Sequence, residues 1–479
     1  MSYCGYVTIL KNVHKHPNAD RLLLGECFGN TVCVSLDYVE GEIGVYFPTD
    51  GQLSEEFAEQ NNLLRKKDEN GNNIGGYMDP DKRNVTSIRL RGEKSDGLFL
   101  PISCLAYTGV DLSQLNSGDI ITTINGHHIC QKYIPKRVSY SSKLKKEGNR
   151  VHKKKAPIAP LFVEHADTEQ LAYNMDAFKI NDYIEITLKM HGTSQRTAYI
   201  PKLQGYKRTI FDKIFRKDGT PIYDWGYVTG TRRTVLGDFE EGGFYGSNAF
   251  REHSAKFFEG KLHKGETVYY EVVGFTDDGH PIMGDANNKK LNDKNFIKEY
   301  GDITHFSYGC EPKGLKTVYG HDNIGMFEIN KEVPINDFYV YRMTMTNEDG
   351  DVVEYTPDFM RYRCEQMGCK TVIPFWSGII KEENLPTIFD FDHFDEEGRG
   401  KKVTPGEYIR EIAERYYDGP DPIGKTHIRE GVVIRIINRP KFTAYKHKNF
   451  NFKVLEGIIK ASAEAPDMEE AEELIEEEN

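Results

Sequence analysis

The 479-residue chain lacks any run approaching the roughly 18 uninterrupted apolar residues needed to cross a bilayer, so no membrane-spanning helix is expected. Paired CxxC spacing is also missing. Eight cysteines lie scattered at 4, 27, 33, 104, 130, 310, 364 and 369, which argues against a zinc ribbon or a disulfide framework and makes free thiols the expected state. Cys364 and Cys369 offer half of a metal-binding spacing, with no second half following. The opening residues, MSYCGYVT, carry no basic start, long apolar run or small-residue cleavage site, so the protein is expected to act inside a cell, in the cytoplasm, or in that of a host if viral. Net positive charge is absent as well: the formal charge is −12. An even spread of that charge would disfavour a nucleic-acid partner, which needs local Lys and Arg. The spread is uneven, with ten Lys or Arg and one acid, Glu147, between Lys132 and Lys155, against nine acids and no Lys or Arg from Glu464 onward. A basic connector and an acidic tail stand behind the average.

A chain of this length exceeds what one core usually supports, since cores stop growing near roughly 250 to 300 residues. Apolar and charged fractions of 38% and 28% are those of a globular protein. Short β segments at Tyr6 to Leu10, Leu22 to Phe28, Thr31 to Leu36, Ile43 to Pro48, Ser87 to Arg91 and Gly97 to Pro101, separated by turn signals, predict a small barrel over 1–130. Residues 131–160 are rich in Lys and Ser, have little periodic hydrophobicity and end in APIAP, as a connector does. A second domain over 161–460 mixes strands at Tyr183 to Leu188, Val268 to Phe275, Phe338 to Thr346 and Gly431 to Ile437 with helices. One helix is signalled at both ends, by Thr404 and Pro405 at its start and Gly419-Pro420 beyond it. The tail spans 461–479. The expected fold class is α+β, with antiparallel sheets in the second domain.

Several short motifs follow in order through that second domain. Lys189 opens KMHGTS directly after the apolar run YIEITL. A lysine nucleophile must lose its proton, through desolvation or neighbouring positive charge, before it attacks phosphorus. Gly192 lets backbone approach a ligand closely. GTRRT at 230 to 234 sets two guanidinium groups beside a glycine turn, suited to phosphate or a terminal hydroxyl. In ETVYYEVVG, at 266 to 274, Glu271 sits in an aromatic strand where an unpartnered charge would be costly. FYVYR at 338 to 342 offers Tyr341 as a stacking face. Glu430 opens the apolar strand of REGVVIRI as a Mg²⁺ or Mn²⁺ ligand would, and AYKHKNFNFK sets Lys446 and Lys448 on one face of a strand, where they would neutralise a triphosphate.

The order KxHG, Arg-rich turn, aromatic-flanked Glu, aromatic strand, EGVV and KxK resembles the covalent nucleotidyltransferase superfamily of ATP-dependent ligases and RNA capping enzymes, over roughly Phe162 to Lys453. His191, where DNA ligases and capping enzymes usually have Asp, and FVEHADTEQL at 162 to 171 are similar to RNA ligases. HPNADRL at 16 to 22 and IRLRGEKSDGLFLP at 88 to 101 resemble oligonucleotide-binding (OB) barrels, with Lys11, Lys15, Arg21, Arg89, Arg91 and Lys94 as an RNA-facing surface. DNA ligases and capping enzymes usually place such a barrel after KxK, where only 31 residues remain here. A leading barrel is the order of Deinococcus-type nick-sealing RNA ligases.

The resemblance implies an ATP-grasp-like adenylyltransferase domain using ATP and Mg²⁺ or Mn²⁺. In it Lys189 forms lysyl-AMP, the AMP passes to an RNA 5′-phosphate, and a 3′-hydroxyl displaces it. His191, Gly192, Ser194, Arg233, Glu271, Tyr341, Lys446 and Lys448 would bind ATP: Glu271 on the ribose, Tyr341 on adenine, Ser194 with Arg233 on phosphate or ribose. Glu430 would hold metal. Arg233 fits the single-arginine family pattern better than Arg232. The expected partner is RNA, as a nicked duplex with an RNA 3′-hydroxyl strand, bound by a monomer. A DNA ligase, a capping guanylyltransferase, and an RNA-binding protein with an inactive nucleotidyltransferase domain are the alternatives.

Overall fold

The computed structural model describes residues 3–67, 73–133, 158–166, 168–209, 219–232, 234–236, 239, 248–312, 334–388 and 400–461. The basic connector, apart from its two ends, and the acidic tail lie outside the described residues, as does Arg233. The chain divides into two compact units, each discontinuous in sequence. The first comprises Met1–Arg137, Ala286–Ile303 and Lys448–Pro466; the second comprises Val138–Asp285, Thr304–His447 and Asp467–Asn479.

The first unit is built from short strands, six of them at the expected segments and three, Lys11–Lys15, Glu93–Asp96 and Ile120–Ile121, beyond them. They are β1 (Gly5–Ile9), β2 (Lys11–Lys15), β3 (Leu23–Cys27), β4 (Asn30–Val34), β5 (Ile43–Phe47), β6 (Ser87–Leu90), β7 (Glu93–Asp96), β8 (Leu98–Pro101) and β9 (Ile120–Ile121). One sheet runs β8-β5-β1-β9 and another β2-β3-β4. Buried Leu10 joins β1 to β2, and positive-φ Asn12 sits where the β2–β3 register shifts, so this run serves both sheets. The expected closed barrel is not one hydrogen-bonded ring among the described residues. Between β4 and β7 a side chain makes the link, Cys33 N–H donating to Ser95 Oγ at 3.1 Å, where a ladder would be needed for closure. Val7, Val45, Phe47, Leu53, Phe57 and Leu105 fill the core.

Helix Phe450–Ala461 packs on β6 and on the Ala286–Leu291 segment. Arg89 Nη2 donates to Asn451 Oδ1 at 2.8 Å, and Arg89 and Lys94 both lie over the Phe450 ring. Two of the six cations expected to face RNA thus lie over this helix's Phe450 ring, although Lys94 is itself exposed, as are Lys11, Lys15, Arg21 and Arg91.

The second unit holds two sheets. The five-stranded one has the order β10 (Glu169–Gln170), β21 (Ala444–Lys448), β20 (Gly431–Ile436), β11 (Tyr183–Lys189) and β19 (Pro374–Ile379). The alternation of β11 sends Ile184 and Ile186 to one face, where they meet Val432, Ile434 and the apolar side of helix Pro405–Glu414, Ile409 and Ile412. That helix starts as expected: Thr404 and Glu407 form a reciprocal capping box and Pro405 sits in the first turn. On the opposite face Glu185 meets Arg361 of helix Pro357–Met367 at 2.7 Å.

The larger sheet runs β14 (Val235–Leu236), β13 (Thr220–Gly230), β12 (Thr193–Lys207), β15 (Glu266–Gly274), β16 (Asn336–Thr346) and β17 (Val352–Glu354), with β18 (Lys370–Thr371) also pairing β16. Every residue of central β15 is buried. Glu266 at its start is tolerated because Arg363 donates two bonds, at 2.9 and 2.8 Å, and Tyr355 a third. Burial pushes that carboxyl up, and the arginine outweighs it, holding the group below its ordinary value. The mixed α and β content and predominantly antiparallel pairing agree with the expected class. All eight cysteines are free thiols, and no described helix is long and apolar enough to cross a membrane.

Candidate active site

KMHGTS is the crossing from one sheet of the second unit to the other. Lys189 is the last residue of β11 and Thr193 the first of β12, so Met190 to Gly192 carry the chain between them. Lys189 pairs with Gly431 on β20, which sets Glu430 beside it. Nζ lies 2.8 Å from Glu430 Oε1, with the lysine side chain 20% exposed and the glutamate 2%. His191 Nδ1 is 3.8 Å from the other carboxylate oxygen, and its ring meets Phe306 edge-on at 4.7 Å. Gly192 is required by close packing: a Cβ there would stand 2.4 Å from the Val272 carbonyl oxygen and 2.9 Å from Glu271 Cγ. The backbone runs against the strand that carries Glu271.

On the larger sheet Ser194 pairs with Glu271, and Glu271 with Tyr339 on the far side. The register between β15 and β16 shifts so that Tyr269 faces Arg342 and Tyr270 faces Val340, which leaves Tyr341 as the extra residue of a bulge. A bulge re-aims its side chain. Tyr341 OH lies 2.8 Å from Ser194 Oγ, and its ring meets His165 at 5.2 Å. His165 comes from the FVEHADTEQL segment, its Nδ1 3.1 Å from Arg342 Nη1. Burial, then the charges of Arg342, Arg232 and Arg196, hold its pKa well below the ordinary histidine value, so the imidazole is neutral.

Two buried arginines fix this region from behind. Arg251 donates to the Ser194 carbonyl at 3.2 Å and to Thr193 Oγ1 at 2.7 Å. Arg196 lies over the Phe162 ring and donates to the carbonyls of Thr231, Phe162 and Val163. Neither stood out in the sequence, where an arginine within a strand or helix reads as a solvated cation. His165 lies in a segment marked only for its resemblance.

The structure therefore brings Lys189, His191, Gly192 and Glu430 together at one end of β11, and Ser194, Glu271 and Tyr341 on adjoining strands of the other sheet. Lys446 lies on β21, paired with Gln170. Lys448 belongs to the first unit, where its ammonium pairs with Glu456 at 2.8 and 2.9 Å. Among the described residues no group of three or more His, Cys, Asp or Glu is placed to hold a metal ion. The arrangement offers a half-buried amine against a buried carboxylate, beside a glycine that opens the backbone and a hydroxyl pair.

This arrangement of antiparallel sheets has counterparts among solved structures. The chain is similar to two mutants of a Naegleria gruberi RNA ligase, one solved with AMP and Mn and one with ATP and Mn. The first superposes with a TM-score of 0.51 at 15% identity, covering 94% of this chain and 97% of that one. The second gives 0.50 at 15% identity, covering 94% and 98%. At that identity the likeness is one of fold. No family model matches the sequence. No curated protein matches it.

Proposed function

We propose that the protein is an ATP-dependent RNA ligase that seals 3′-hydroxyl/5′-phosphate nicks through lysyl-AMP and RNA-adenylate intermediates, in RNA repair. The observation that carries this reading is the Lys189 ammonium 2.8 Å from buried Glu430, at the point where the chain passes between two sheets of an RNA-ligase-like fold. Lys189 attacks the α-phosphorus of ATP; the Nζ–P bond forms and pyrophosphate leaves. The 5′-phosphate of the nick then takes the AMP, and the 3′-hydroxyl displaces AMP to close the phosphodiester. Glu271 holds the ribose, Tyr341 offers its ring to adenine, and Ser194, with Arg233, contacts phosphate or ribose. His191 and Gly192 line the nucleotide, and Lys446 and Lys448 neutralise phosphates.

A carboxylate at 2.8 Å favours the charged lysine, whereas attack requires the neutral amine. Glu430 is a hard oxygen donor, buried beside Lys189, that would fit Mg²⁺ or Mn²⁺ together with substrate phosphates. Such a cation would neutralise charge developing on the phosphates. The reported neighbours were solved with AMP or ATP and Mn, which supports the same cofactors here.

The strand order of the first unit, the β1–β2 run beside β3, then β4, the β7–β8 run, and β5 returning to β1, supports an OB-fold that docks RNA. With that module leading, the Deinococcus-type arrangement is the favoured one, working as an intracellular monomer on a nicked duplex. Incubation with α-labelled ATP and Mg²⁺ or Mn²⁺ should label the protein through a bond that resists alkali and is labile to acid, as a phosphoramidate is, and Lys189→Ala should abolish the label. No label on the wild type, or full label on the variant, overturns the proposal. Nicks with RNA or DNA on the 3′-hydroxyl side separate it from a DNA ligase, and labelling by GTP alone would mean a capping enzyme. RNA binding with no adduct would mean an inactive relative.

A further inference from the structure

The buried surroundings of the lysine motif contain a polar group that the proposed reaction does not use. Tyr308, only 3% exposed, accepts the backbone N–H of His191 through its hydroxyl oxygen at 2.6 Å. His191 is two residues beyond Lys189, on the crossing segment, and its side chain already points at Glu430 and Phe306. A crossing segment has no strand partner to satisfy its backbone, so a side chain has to do so. Here the Tyr308 phenol does so for the His191 amide.

Tyr308 is also held in a costly conformation. Its φ is +49°, a region that a bulky L-residue rarely enters and keeps only when its surroundings over-determine it. The surroundings are specific: the ring meets the buried His427 imidazole edge-on at 4.6 Å, and His427 in turn meets Phe306 at 5.3 Å, the ring that packs on His191. His427 and Asp421 are both fully buried, and Asp421 N–H donates to the His427 carbonyl at 2.8 Å. The loop that carries this pair leads within three residues to Glu430. One connected cluster thus reaches both partners of the Lys189–Glu430 ion pair, the glutamate along the chain and the lysine through Tyr308.

We infer that Tyr308 is a positioning residue for the lysine nucleophile: its hydroxyl anchors the His191 amide and so fixes the backbone that aims Lys189. Burial, and then the Asp421 charge, push the tyrosine hydroxyl well above its ordinary range, so it serves as a neutral acceptor throughout the working range of pH. The inference rests on Lys189 being the nucleophile. Its consequence concerns aim first: the amine wanders once the anchor is gone, while the ATP contacts outside the His191–Gly192 backbone stay in place.

Tyr308→Phe deletes one oxygen and leaves the ring against His427. Pre-steady-state adenylation of the full chain, measured across ATP concentrations, should show a maximal rate lower by about tenfold, the worth of one hydrogen bond, with a smaller change in the half-saturating ATP concentration. An unchanged maximal rate, or a loss confined to ATP affinity, overturns the inference. A merely structural role would lower the melting temperature without this split. Two readouts stand apart from activity. The rate at which an amine-reactive reagent modifies Lys189, quantified by peptide mass spectrometry, should differ between variant and wild type, and equality counts against the anchor. In the wild type alone, hydrogen exchange should find the His191 amide protected, and fast exchange there refutes the bond even if the variant fails to fold. A wild type that forms no adduct would sink the ligase reading, while these two measurements would still decide the anchor.

Discussion

At the scale of single residues, the site depends on positions where one atom more or less matters. Gly192 is the sharpest. Alanine there would drive a Cβ to 2.4 Å from the Val272 carbonyl, and backbone cannot give way as a flexible side chain would. Overpacking of this kind costs on the order of 1 to 3 kcal/mol, and relief by shifting the crossing segment would carry Lys189 away from Glu430. Gly192→Ala is therefore expected to lower the melting temperature and to cut adenylation by more than Ser194→Ala, which loses the bond to Tyr341 and one contact to the nucleotide but leaves the backbone in place. Thermal melting and adduct formation on both variants check this; a fully active, equally stable Gly192→Ala would contradict the close approach. Much of this was legible, because KMHGTS after an apolar strand and an acid opening another strand are local signals. Arg251 and Tyr308 were not, since what marks them is burial against distant backbone. Tyr341 was legible as an aromatic, but the bulge that turns it toward Ser194 was not.

At the scale of elements, helix Pro405–Glu414 was readable from its ends, while the role of its last residue was not. Glu414 receives Arg410 Nε at 2.8 Å and lies 3.7 Å from His447 on β21, whose ring stacks on Tyr417 at 4.9 Å. The His447 imidazole beside it, opposed by burial and aided by Arg410, lowers the Glu414 carboxyl to about 2. An unfolded glutamate titrates near 4.3. The folded state thus prefers the ionised form, so this contribution is fully present above about pH 4.5 and is lost as pH falls through that value toward 2. Because the side chain is 40% exposed, solvent screening trims the benefit to about 1 kcal/mol. Glu414→Gln should be less stable than wild type to urea at about pH 5, and the gap should close as pH approaches 2. A gap that is constant across that range would mean the ion pair adds nothing to the joint between helix and strand.

At the scale of the whole molecule, strands and motifs were legible along the chain, but the discontinuity of the units was not. The bond between Arg89 and Asn451 joins positions 362 apart, and no periodicity announces such a pairing. The consequence is practical. Deleting residues 1–130 would strip β6 and β7 from helix Phe450–Ala461, removing the partners of Asn451 and Lys453 and uncovering Phe450, so truncation is a poor test of what the first unit does. Charge reversal is the better one. Lys11, Lys15, Arg21 and Arg91 are exposed, whereas Arg89 and the likewise exposed Lys94 lie over Phe450 of the helix, so the four can be changed to Glu without disturbing that contact. If this surface holds the RNA backbone, the quadruple variant should form lysyl-AMP at the wild-type rate and seal nicks at least about tenfold more slowly, because each lost phosphate contact removes released counterions from the binding equilibrium. The dependence of sealing on salt should flatten in the same variant, by a slope of roughly 0.9 for each contact removed on a duplex. Sealing and salt slope both equal to wild type would place RNA docking elsewhere on the protein, and adenylation falling together with sealing would mean that the four cations support the nucleotide chemistry itself.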